Sequence, residues 1–239
     1  MRNNKTIGII GAMDNEIKLL TDKLENQVHQ SYGDLNFISG KFVGKTVVIV
    51  KSGIGKVNAA RCTQLLIDQY NPAAIINTGM AGGIHQGLSI GDFIIGTESV
   101  QHDFDVTAFG HFKGYMCTGD DDTQPTIYKS DKILVDTLSK AAKSVIKSRS
   151  VIYGRIATGD VFVSDTKLKK EIHKLFNAVA AEMESGAIAQ TAYYANIPFV
   201  IARTISDLAD GTAAESFEEF ENKAADNSAE IVLKFISLF

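Results

Sequence analysis

Two kinds of apolar pattern alternate along the chain. Short continuous apolar runs that close in glycine or a polar turn predict strands buried on both faces of a sheet. These runs cover residues 6–11, 35–39, 46–50, 73–77, 92–100, 151–157, 178–181 and 198–202, the last continuing to residue 207. Apolar positions spaced three or four residues apart predict helices. They cover residues 17–24, 59–70, 132–147, 167–176, a stretch running to about 195, and 215–239.

This order of elements predicts a single α/β domain over residues 1–239, with a central mixed β-sheet flanked by helices on both faces. Asp14 or Asn15 is expected to cap the first helix, which places Glu16 in its first turn at the end of the first strand. Residues 35–39 and 46–50 predict a hairpin. The periodic pattern weakens from residue 101 to 128, and a loop of that length usually serves a function or an interface.

Composition and charge narrow the function classes. The 239 residues carry a formal net charge of −4 and no long basic stretch, which excludes an electrostatic footprint for nucleic acid. Cys62 and Cys117 lie far apart without a CxxC motif, which favours free thiols in a reducing compartment. The apolar run 7–13 is interrupted by glycines and is not typical of a signal peptide, and no stretch has the length of a membrane span. A cytoplasmic protein without membrane contact is predicted.

Glycine-rich turns suggest two nucleotide motifs, but both depart from the required spacing. Gly8 and Gly11 match part of a dinucleotide fingerprint, yet GxGxxG is absent and Met13 stands where a small residue is needed. The turn 51–58 resembles a phosphate loop, but Val57 follows Lys56 where the motif requires a hydroxyl. A tight turn between strand and helix is the favoured interpretation.

A metal site is also weakly indicated. His102, Asp103 and Asp105 could supply ligands, but no second cluster accompanies them, so a loop at an interface is favoured. No metal and no cofactor are predicted.

Ligands of open α/β sheets collect beyond the carboxyl ends of the strands. That rule gathers the turns at residues 13–16, 52–55, 79–83, 162–164, 183–184 and 206–207. Acids, methionines, small residues and aromatics dominate these turns, and the one arginine beside them is Arg203, on the strand that leads into residues 206–207. Because phosphate usually requires arginines or a nest of amides, this composition favours an uncharged polar ligand with apolar parts.

Glu182 and Glu184 flank Met183 where an apolar run gives way to a helical pattern. If the strand continues that far, both carboxylates point to the same side and enter one cavity. If the helix has already begun, they diverge. In the second interpretation Glu184 merely favours the positive end of the helix dipole and Glu182 is a solvated charge at the sheet edge.

Six short sequence motifs occur along the chain in the same order as in a known protein family. The chain resembles the 5′-methylthioadenosine/S-adenosylhomocysteine nucleosidases of the nucleoside phosphorylase superfamily through IGIIGAM at 7–13 with Glu16, SGIGK at 52–56, NTGMAGG at 77–83, DVTAFG at 105–110, EME at 182–184 and SD at 206–207. The resemblance implies a nucleoside phosphorylase-like fold. It also implies cofactor-free hydrolysis of the bond between adenine N9 and ribose C1′, which releases adenine and a 5-thio-substituted ribose.

The resemblance implies two catalytic acids. Asp207 matches the general acid that donates toward adenine N7, a role that needs a carboxyl kept protonated by burial. Glu16 matches the residue that orients and deprotonates the attacking water. Simpler interpretations exist for both: Asp207 could be a helix N-cap, and Glu16 could be a first-turn acid stabilised by the helix dipole.

The same resemblance implies the substrate contacts. Glu184 is expected to hold the ribose hydroxyls, with Met183 beneath the sugar, and Glu182 to support it from a second layer, paired with Arg203. Phe162 and Val163 correspond to positions that stack on adenine and read its edge, although plain core packing would also explain them. Ile54 and Phe217 would line the thioalkyl and adenine ends, and Ser206 would assist Asp207. Further contacts are expected from Met13, Met80, Ala81 and Gly82.

Phe109 matches a position that the family inserts into the neighbouring subunit's site, which implies a homodimer. Met80 is a departure, since the family usually has serine or threonine there and a thioether donates no hydrogen bond. It also removes a hydroxyl that phosphorylase relatives use for phosphate. Two alternatives stay open: a phosphorylase of the same fold, and a catalytically silent adenine-nucleoside binding protein.

The choice among methylthioadenosine, adenosylhomocysteine, 5′-deoxyadenosine and aminofutalosine is expected to depend on the pocket beside Phe217 and on the neighbouring subunit's Phe109 loop.

Overall fold

The computed structural model describes residues 6–239. Its strands are β1 (Ile7–Gly11), β2 (Glu25–Tyr32), β3 (Leu35–Phe42), β4 (Lys45–Lys51), β5 (Ala74–Gly83), β6 (Phe93–Gln101), β7 (Tyr128–Lys129), β8 (Val151–Thr158), β9 (Ala178–Glu182) and β10 (Phe199–Asp207). Its α-helices are α1 (Asp14–Asp22), α2 (Lys56–Tyr70), α3 (Lys132–Val145), α4 (Thr166–Phe176), α5 (Ser185–Tyr194) and α6 (Ala213–Leu238). The predicted α/β domain is confirmed.

The strands form one mixed sheet in the order β10-β6-β8-β9-β5-β1-β4-β3-β2, with β7 on β6. An additional parallel pairing joins β10 to β5, with Phe199 opposite Ile75. Strands β5, β9, β8, β6 and β10 therefore close into a ring, and β1, β4, β3 and β2 extend from it as an open sheet. Because β5 belongs to both parts, its carboxyl end lies where the ring meets the open sheet.

Helices cover both faces of the sheet, as predicted. On one face, Leu66 of α2 and Ile188 of α5 belong to the same core cluster as Ile10 of β1. On the other face, Leu20 of α1 and residues of α3 and α6 belong to one cluster with Ile9 of the same strand. This alternation along a continuous apolar run is what burial on both faces requires. No helix within residues 6–239 is both long and apolar enough to cross a membrane.

The predicted cap of the first helix is wrong. Helix α1 begins at Asp14, and Met13 is its N-cap, with φ −126° and ψ 161°. The side chain of Glu16 accepts hydrogen bonds from the N–H groups of Ala12 and Met13 at 2.6 and 3.1 Å, and so satisfies donors at the start of the helix itself. Glu16 does lie in the first turn, as expected.

Strand β2 has no counterpart in the sequence prediction. Seven of its eight residues are exposed, so it has no buried face to produce an apolar alternation. Within residues 6–239 it pairs with β3 alone, at the edge of the sheet. The predicted hairpin corresponds to β3 and β4. Between residues 102 and 127 the only regular element is a 3₁₀ turn, Thr107–Phe109, in agreement with the predicted long loop.

Replacement of Leu20 by alanine tests the packing of α1, the helix that carries Glu16. Leu20 is fully buried in the core between α1 and the sheet. We expect Leu20→Ala to lower the free energy of unfolding by about 2–5 kcal/mol, because it deletes buried methyl groups and leaves a cavity. Urea unfolding followed by circular dichroism measures this loss. Lys18→Ala, at an exposed position of the same helix, should leave the midpoint near that of the parent, and an equal loss in both variants would contradict the packing.

Candidate active site

A cavity of about 360 Å³ opens at the carboxyl ends of β1, β5, β9 and β10. It is lined by Ala12, Met13, Glu16, Ile54, Met80, Ala81, Gly82, Phe162, Ala181, Glu182, Met183, Glu184, Ser206, Asp207, Ala214, Phe217 and Glu218. Most of the residues predicted for the site are therefore brought together. A second cavity of about 470 Å³ lies between α3 and α6, is bordered by Lys147, Arg149 and Lys223, and contains none of the predicted residues.

Glu16 is held at one side of the cavity by three main-chain N–H groups. Besides the bonds from Ala12 and Met13 to Oε2, the N–H of Met80 on β5 donates to Oε1 at 3.0 Å. Gly79 makes this approach possible, because a Cβ atom there would overlap the Glu16 carboxylate. Burial raises the pKa of Glu16, against the opposing effects of the Arg203 charge and the three N–H groups.

Asp207 ends β10 and lies beside Gly82, whose missing side chain leaves room for it: a Cβ atom there would come within 2.8 Å of Asp207 Oδ1. Ser206 Oγ donates to Asp207 Oδ2 at 2.9 Å, and the N–H of Ala209 donates to Oδ1 at 2.8 Å. Burial raises the pKa of Asp207 despite these two bonds. Glu16 and Asp207 thus contact β5 two residues apart, at Met80 and Gly82.

Below the cavity, Glu182 forms a buried ion pair with Arg203, with Arg203 Nη2 2.7 Å from Glu182 Oε2. Both side chains are almost completely buried, at 2–3 % exposure. The hydroxyls of Thr158 and Ser185 also donate to Glu182. Burial alone would raise the pKa of Glu182, but the Arg203 charge and these hydrogen bonds outweigh it and lower the pKa. Glu182 is therefore an ionised, fully bonded group, and the expected pairing with Arg203 is present.

Glu184 lies in the turn between β9 and α5, with φ −127° and ψ −41°. The strand ends at Glu182, yet both carboxylates line the cavity and both are buried, so a solvated edge charge is excluded. The N–H of Gly55 donates to Glu184 Oε1 at 2.9 Å. Burial, followed by the charge of Glu182, raises the pKa of Glu184 to about 8, against the opposing effects of Arg203 and the Gly55 N–H.

The remaining wall is apolar. Met80 packs against Ala224 and Ala225 of α6, with Met13 and Phe217 beside it. The rings of Phe162 and Phe217 meet edge to face, with centroids 5.9 Å apart. The thioether of Met80 thus belongs to a buried apolar cluster, and its main-chain N–H supplies the hydrogen bond to Glu16.

Three predicted residues lie outside the cavity wall. Val163 is buried in a separate cluster with Ile172 and Phe176, so packing explains its side chain. Phe109 is 80 % exposed and does not line this chain's own cavity. Arg203 also lies outside the wall and acts through Glu182.

Several functional positions escaped sequence reasoning. Ala214 and Glu218 line the cavity beside Phe217 at helical spacing, a signal that the α6 pattern could have provided. The hydrogen-bonding partners Asn77, Thr158 and Ser185 of the Glu182–Arg203 pair come from three different elements, so no local pattern indicates them. The Gly55 N–H is a main-chain donor and leaves no signal in residue types.

The fold and the cavity together define a class of protein, and residues 6–237 match the family model of the Phosphorylase superfamily. A 5′-methylthioadenosine/S-adenosylhomocysteine nucleosidase of Halalkalibacterium halodurans is 44 % identical over 232 residues, which span 96 % of this chain and 97 % of the relative. That of Bacillus subtilis is 41 % identical over 231 residues, 96 % of this chain and 97 % of the relative.

Among solved structures, the nucleosidase of Neisseria meningitidis in complex with methylthio-immucillin-A superposes with a TM-score of 0.93 at 43 % identity, covering 98 % of this chain and 100 % of that one. The chain belongs to the 5′-methylthioadenosine/S-adenosylhomocysteine nucleosidase family of this superfamily. The resemblance inferred from the six sequence motifs is thereby confirmed.

The raised pKa of Glu184 predicts a dependence of stability on pH. A carboxyl whose pKa is higher in the folded than in the unfolded state favours folding at low pH, and this contribution is lost as the pH rises toward about 8. In Glu184→Gln the glutamine side chain has nearly the same shape as glutamate but cannot ionise. The melting temperature of Glu184→Gln minus that of the parent should therefore increase from pH 5 to pH 8. The increase should be at least about 2–4 °C, which is the shift expected for 1 kcal/mol.

Differential scanning fluorimetry across this pH range provides the measurement. Glu219→Gln, at an exposed position of α6, controls for the loss of one carboxylate. A constant difference between Glu184→Gln and the parent at every pH would show that Glu184 does not titrate in the expected range.

Proposed function

We propose that the protein hydrolyses the N-glycosidic bond of 5′-methylthioadenosine and S-adenosylhomocysteine, giving adenine and the 5-thio-substituted ribose. The observation that carries the proposal is the placement of two buried acids with raised pKa, Glu16 and Asp207, at one cavity with an apolar wall. Family membership and relatives with these names support the same activity.

Asp207 acts as the general acid. Its raised pKa keeps a proton on the carboxyl nearer to neutral pH than an exposed aspartate would. Transfer of that proton to adenine N7 lets the electron pair of the breaking C1′–N9 bond leave with a neutral base. Ser206 and the Ala209 N–H hold the carboxyl against Gly82, which fixes the direction of transfer.

Glu16 acts as the base toward water. An ionised carboxylate offers about four acceptor positions, and three are filled by the N–H groups of Ala12, Met13 and Met80. One position is left for a water molecule in the cavity. The water oxygen forms the new bond to C1′, and its proton passes to Glu16. This function does not use the Met80 side chain, so the missing serine or threonine hydroxyl is compatible with it.

Glu184 binds the ribose hydroxyls. Its Oε1 accepts from Gly55, and its Oε2 has no protein donor among residues 6–239, so it is open to a hydroxyl. Hydroxyl donors favour the ionised form of a carboxyl with a pKa of about 8. The resulting negative charge then lies near the ribosyl cation that develops as the bond breaks.

Water is favoured over phosphate as the acceptor of the ribosyl group. Of the described residues, those that line the cavity include four buried acids and no lysine, arginine or histidine. A phosphate dianion would meet like charges there without a compensating cation. This disfavours a phosphorylase, and the two acids with raised pKa disfavour a silent binding protein.

One assay tests the activity and both acids. Methylthioadenosine is incubated with the protein with and without phosphate, and the sugar product is identified. Free methylthioribose is expected in both cases, whereas a phosphate requirement with a ribose 1-phosphate product would contradict the proposal. Glu16→Gln and Asp207→Asn should each lower kcat by a factor of about 100 or more, since each removes one proton transfer.

A matched control separates chemistry from folding. Asp14→Asn removes another acid of the same first turn of α1, whose side chain is 85 % exposed. This control should keep near-parental activity. If Asp14→Asn were as damaging as Glu16→Gln, the role of Glu16 would reduce to its interaction with the helix dipole.

The proposal includes a cytoplasmic homodimer in which Phe109 completes the neighbouring subunit's site. Phe109 is exposed, and Ile54 and Phe162 at the cavity mouth are 52 % and 43 % exposed. The cavity mouth of one chain therefore leaves apolar side chains open to solvent. A second copy of the chain would cover it. The free thiols of Cys62 and Cys117 support a reducing compartment.

Phe109→Ala should raise the KM for methylthioadenosine about tenfold, as expected for the loss of roughly 1.4 kcal/mol of apolar contact. The side chain is exposed within one chain, so the substitution should leave the fold of the subunit intact, as measured by circular dichroism. The control is Ile133→Ala, which removes an exposed apolar side chain elsewhere, on α3. Sedimentation should show a dimer at assay concentration; full activity of a monomer would contradict this part of the proposal.

A further inference from the structure

Three segments meet beside the cavity, on the side of Glu184. They are the start of α2 with Lys56, the loop after β6 with Asp103 and the loop after β8 with Asp160. Asp103 Oδ1 accepts from Lys56 Nζ at 2.7 Å, and Asp103 Oδ2 accepts from the N–H of Asp160 at 2.8 Å. Asp160 Oδ1 in turn accepts from the N–H of Lys56 at 2.7 Å. The three residues therefore form a closed ring of hydrogen bonds, here called the Lys56 ring.

The Lys56 ring adjoins the Glu184 contact directly. The N–H of Lys56 is held by Asp160, and the preceding N–H, that of Gly55, is held by Glu184. Gly55 has φ +95°, and a Cβ atom there would come within 3.0 Å of Asp160 Oδ1, so both its conformation and the space favour glycine. The orientation of the Gly55 N–H toward Glu184 thus depends on the carboxylate of Asp160.

The Lys56–Asp103 ion pair of the ring is partly sheltered from solvent, whereas Asp160 is exposed. The side chains of Lys56 and Asp103 are 18 % and 25 % exposed. Burial would raise the pKa of Asp103, but the hydrogen bonds from Lys56 and the Asp160 N–H outweigh it and lower the pKa. The ammonium group of Lys56 is therefore engaged with Asp103 and does not line the cavity, which explains why its glycine-rich turn is no phosphate loop.

We propose that Lys56, Asp103 and Asp160 are positioning residues, which hold the Gly55 N–H on Glu184 and keep Ile54 and Phe162 at the cavity mouth. Ile54 adjoins Gly55, and Phe162 follows Asp160 by two residues, so both depend on the loops that the ring joins. The inference rests on the proposed ribose-binding role of Glu184. It assigns the ring to the sugar side of the site, whereas adenine lies with Asp207.

Loss of the ring has two consequences for Glu184. Its carboxylate would lose a fixed orientation toward the ribose hydroxyls, and small misplacements of such groups cost up to about 100-fold in rate. It would also lose a hydrogen bond that favours its ionised form. Since Glu184 faces Glu182 and Glu16 as well as Arg203, its pKa would then rise further, and the acid limb of kcat/KM would move to higher pH.

The test compares Asp160→Ala with Asp160→Asn in the full-length protein. Alanine removes the acceptor of the Lys56 N–H, whereas the asparagine carbonyl can still accept. We expect Asp160→Ala to lower kcat/KM for methylthioadenosine about 10- to 100-fold and to shift the acid limb upward, with adenine affinity unchanged. Asp160→Asn should restore most of the activity and the parental pH profile. Asp22→Ala, an exposed acid far from the ring, should behave as the parent.

Lys56→Met removes the hydrogen bond from Lys56 Nζ to Asp103 and replaces Asp160→Ala in the test if that variant does not fold. In the double variant Lys56→Met with Asp160→Ala, the loss of kcat/KM should not exceed that of the more damaging single variant, because both substitutions break the same ring. Unchanged kcat/KM in both single variants, additive losses, or failure of asparagine to restore activity would overturn the proposal.

The parent separates this inference from the proposed function. If the parent releases no adenine from methylthioadenosine, the proposed hydrolysis fails on its own. The ring is then judged by the affinity for methylthio-immucillin-A, measured by calorimetry: Asp160→Ala should bind it more weakly than the parent, and Asp160→Asn nearly as well as the parent. Equal affinity in all three proteins would overturn the ring's positioning role.

Discussion

The arrangement of the site depends on one buried guanidinium. The positive charge of Arg203 opposes the effect of burial on the pKa of Glu16, Glu182 and Glu184, but of these three carboxylates Arg203 pairs directly with Glu182 alone. One cation cannot compensate three buried carboxylates, and a charge left without a partner in the interior is costly. The direct partner therefore stays ionised, and the other two keep a raised pKa. Direct pairing with Arg203, together with the hydrogen bonds from Thr158 and Ser185, thus gives Glu182 a different protonation behaviour from the other two glutamates.

The closure of the sheet explains how these groups meet. Glu16 follows β1 in the open part of the sheet, whereas Asp207 ends β10 in the part whose five strands close on themselves. Both contact β5, the strand common to both parts. Two glycines of that strand, Gly79 and Gly82, leave room for the two carboxyl groups. A side chain at either glycine would displace an acid. The glycines at this strand end therefore matter for the site because they leave space for the carboxyl groups of Glu16 and Asp207.

Much of the fold could be predicted from local pattern, since continuous apolar runs and helical spacing mark most strands and helices. Strand β2 could not, because an exposed edge strand has no buried face to impose alternation. The proposed roles of Glu16, Glu184 and Asp207 came from family resemblance and not from spacing. Main-chain donors such as the Gly55 N–H, and the pairing of β10 with β5, arise only from tertiary structure, so residue types do not encode them.

The pairing of β5 with β10 also bears on how the protein is made. It joins residues 75–82 to residues 199–207, and the buried contact of Arg203 with Asn77 spans 126 positions of the chain. Contacts between such distant segments form late in folding, after the loop entropy has been overcome. During synthesis on the ribosome, the first strands and Glu16 emerge long before β10 and Asp207. A nascent chain therefore lacks one of the two proposed catalytic acids, and on this proposal it is unable to act on nucleosides until translation is nearly complete.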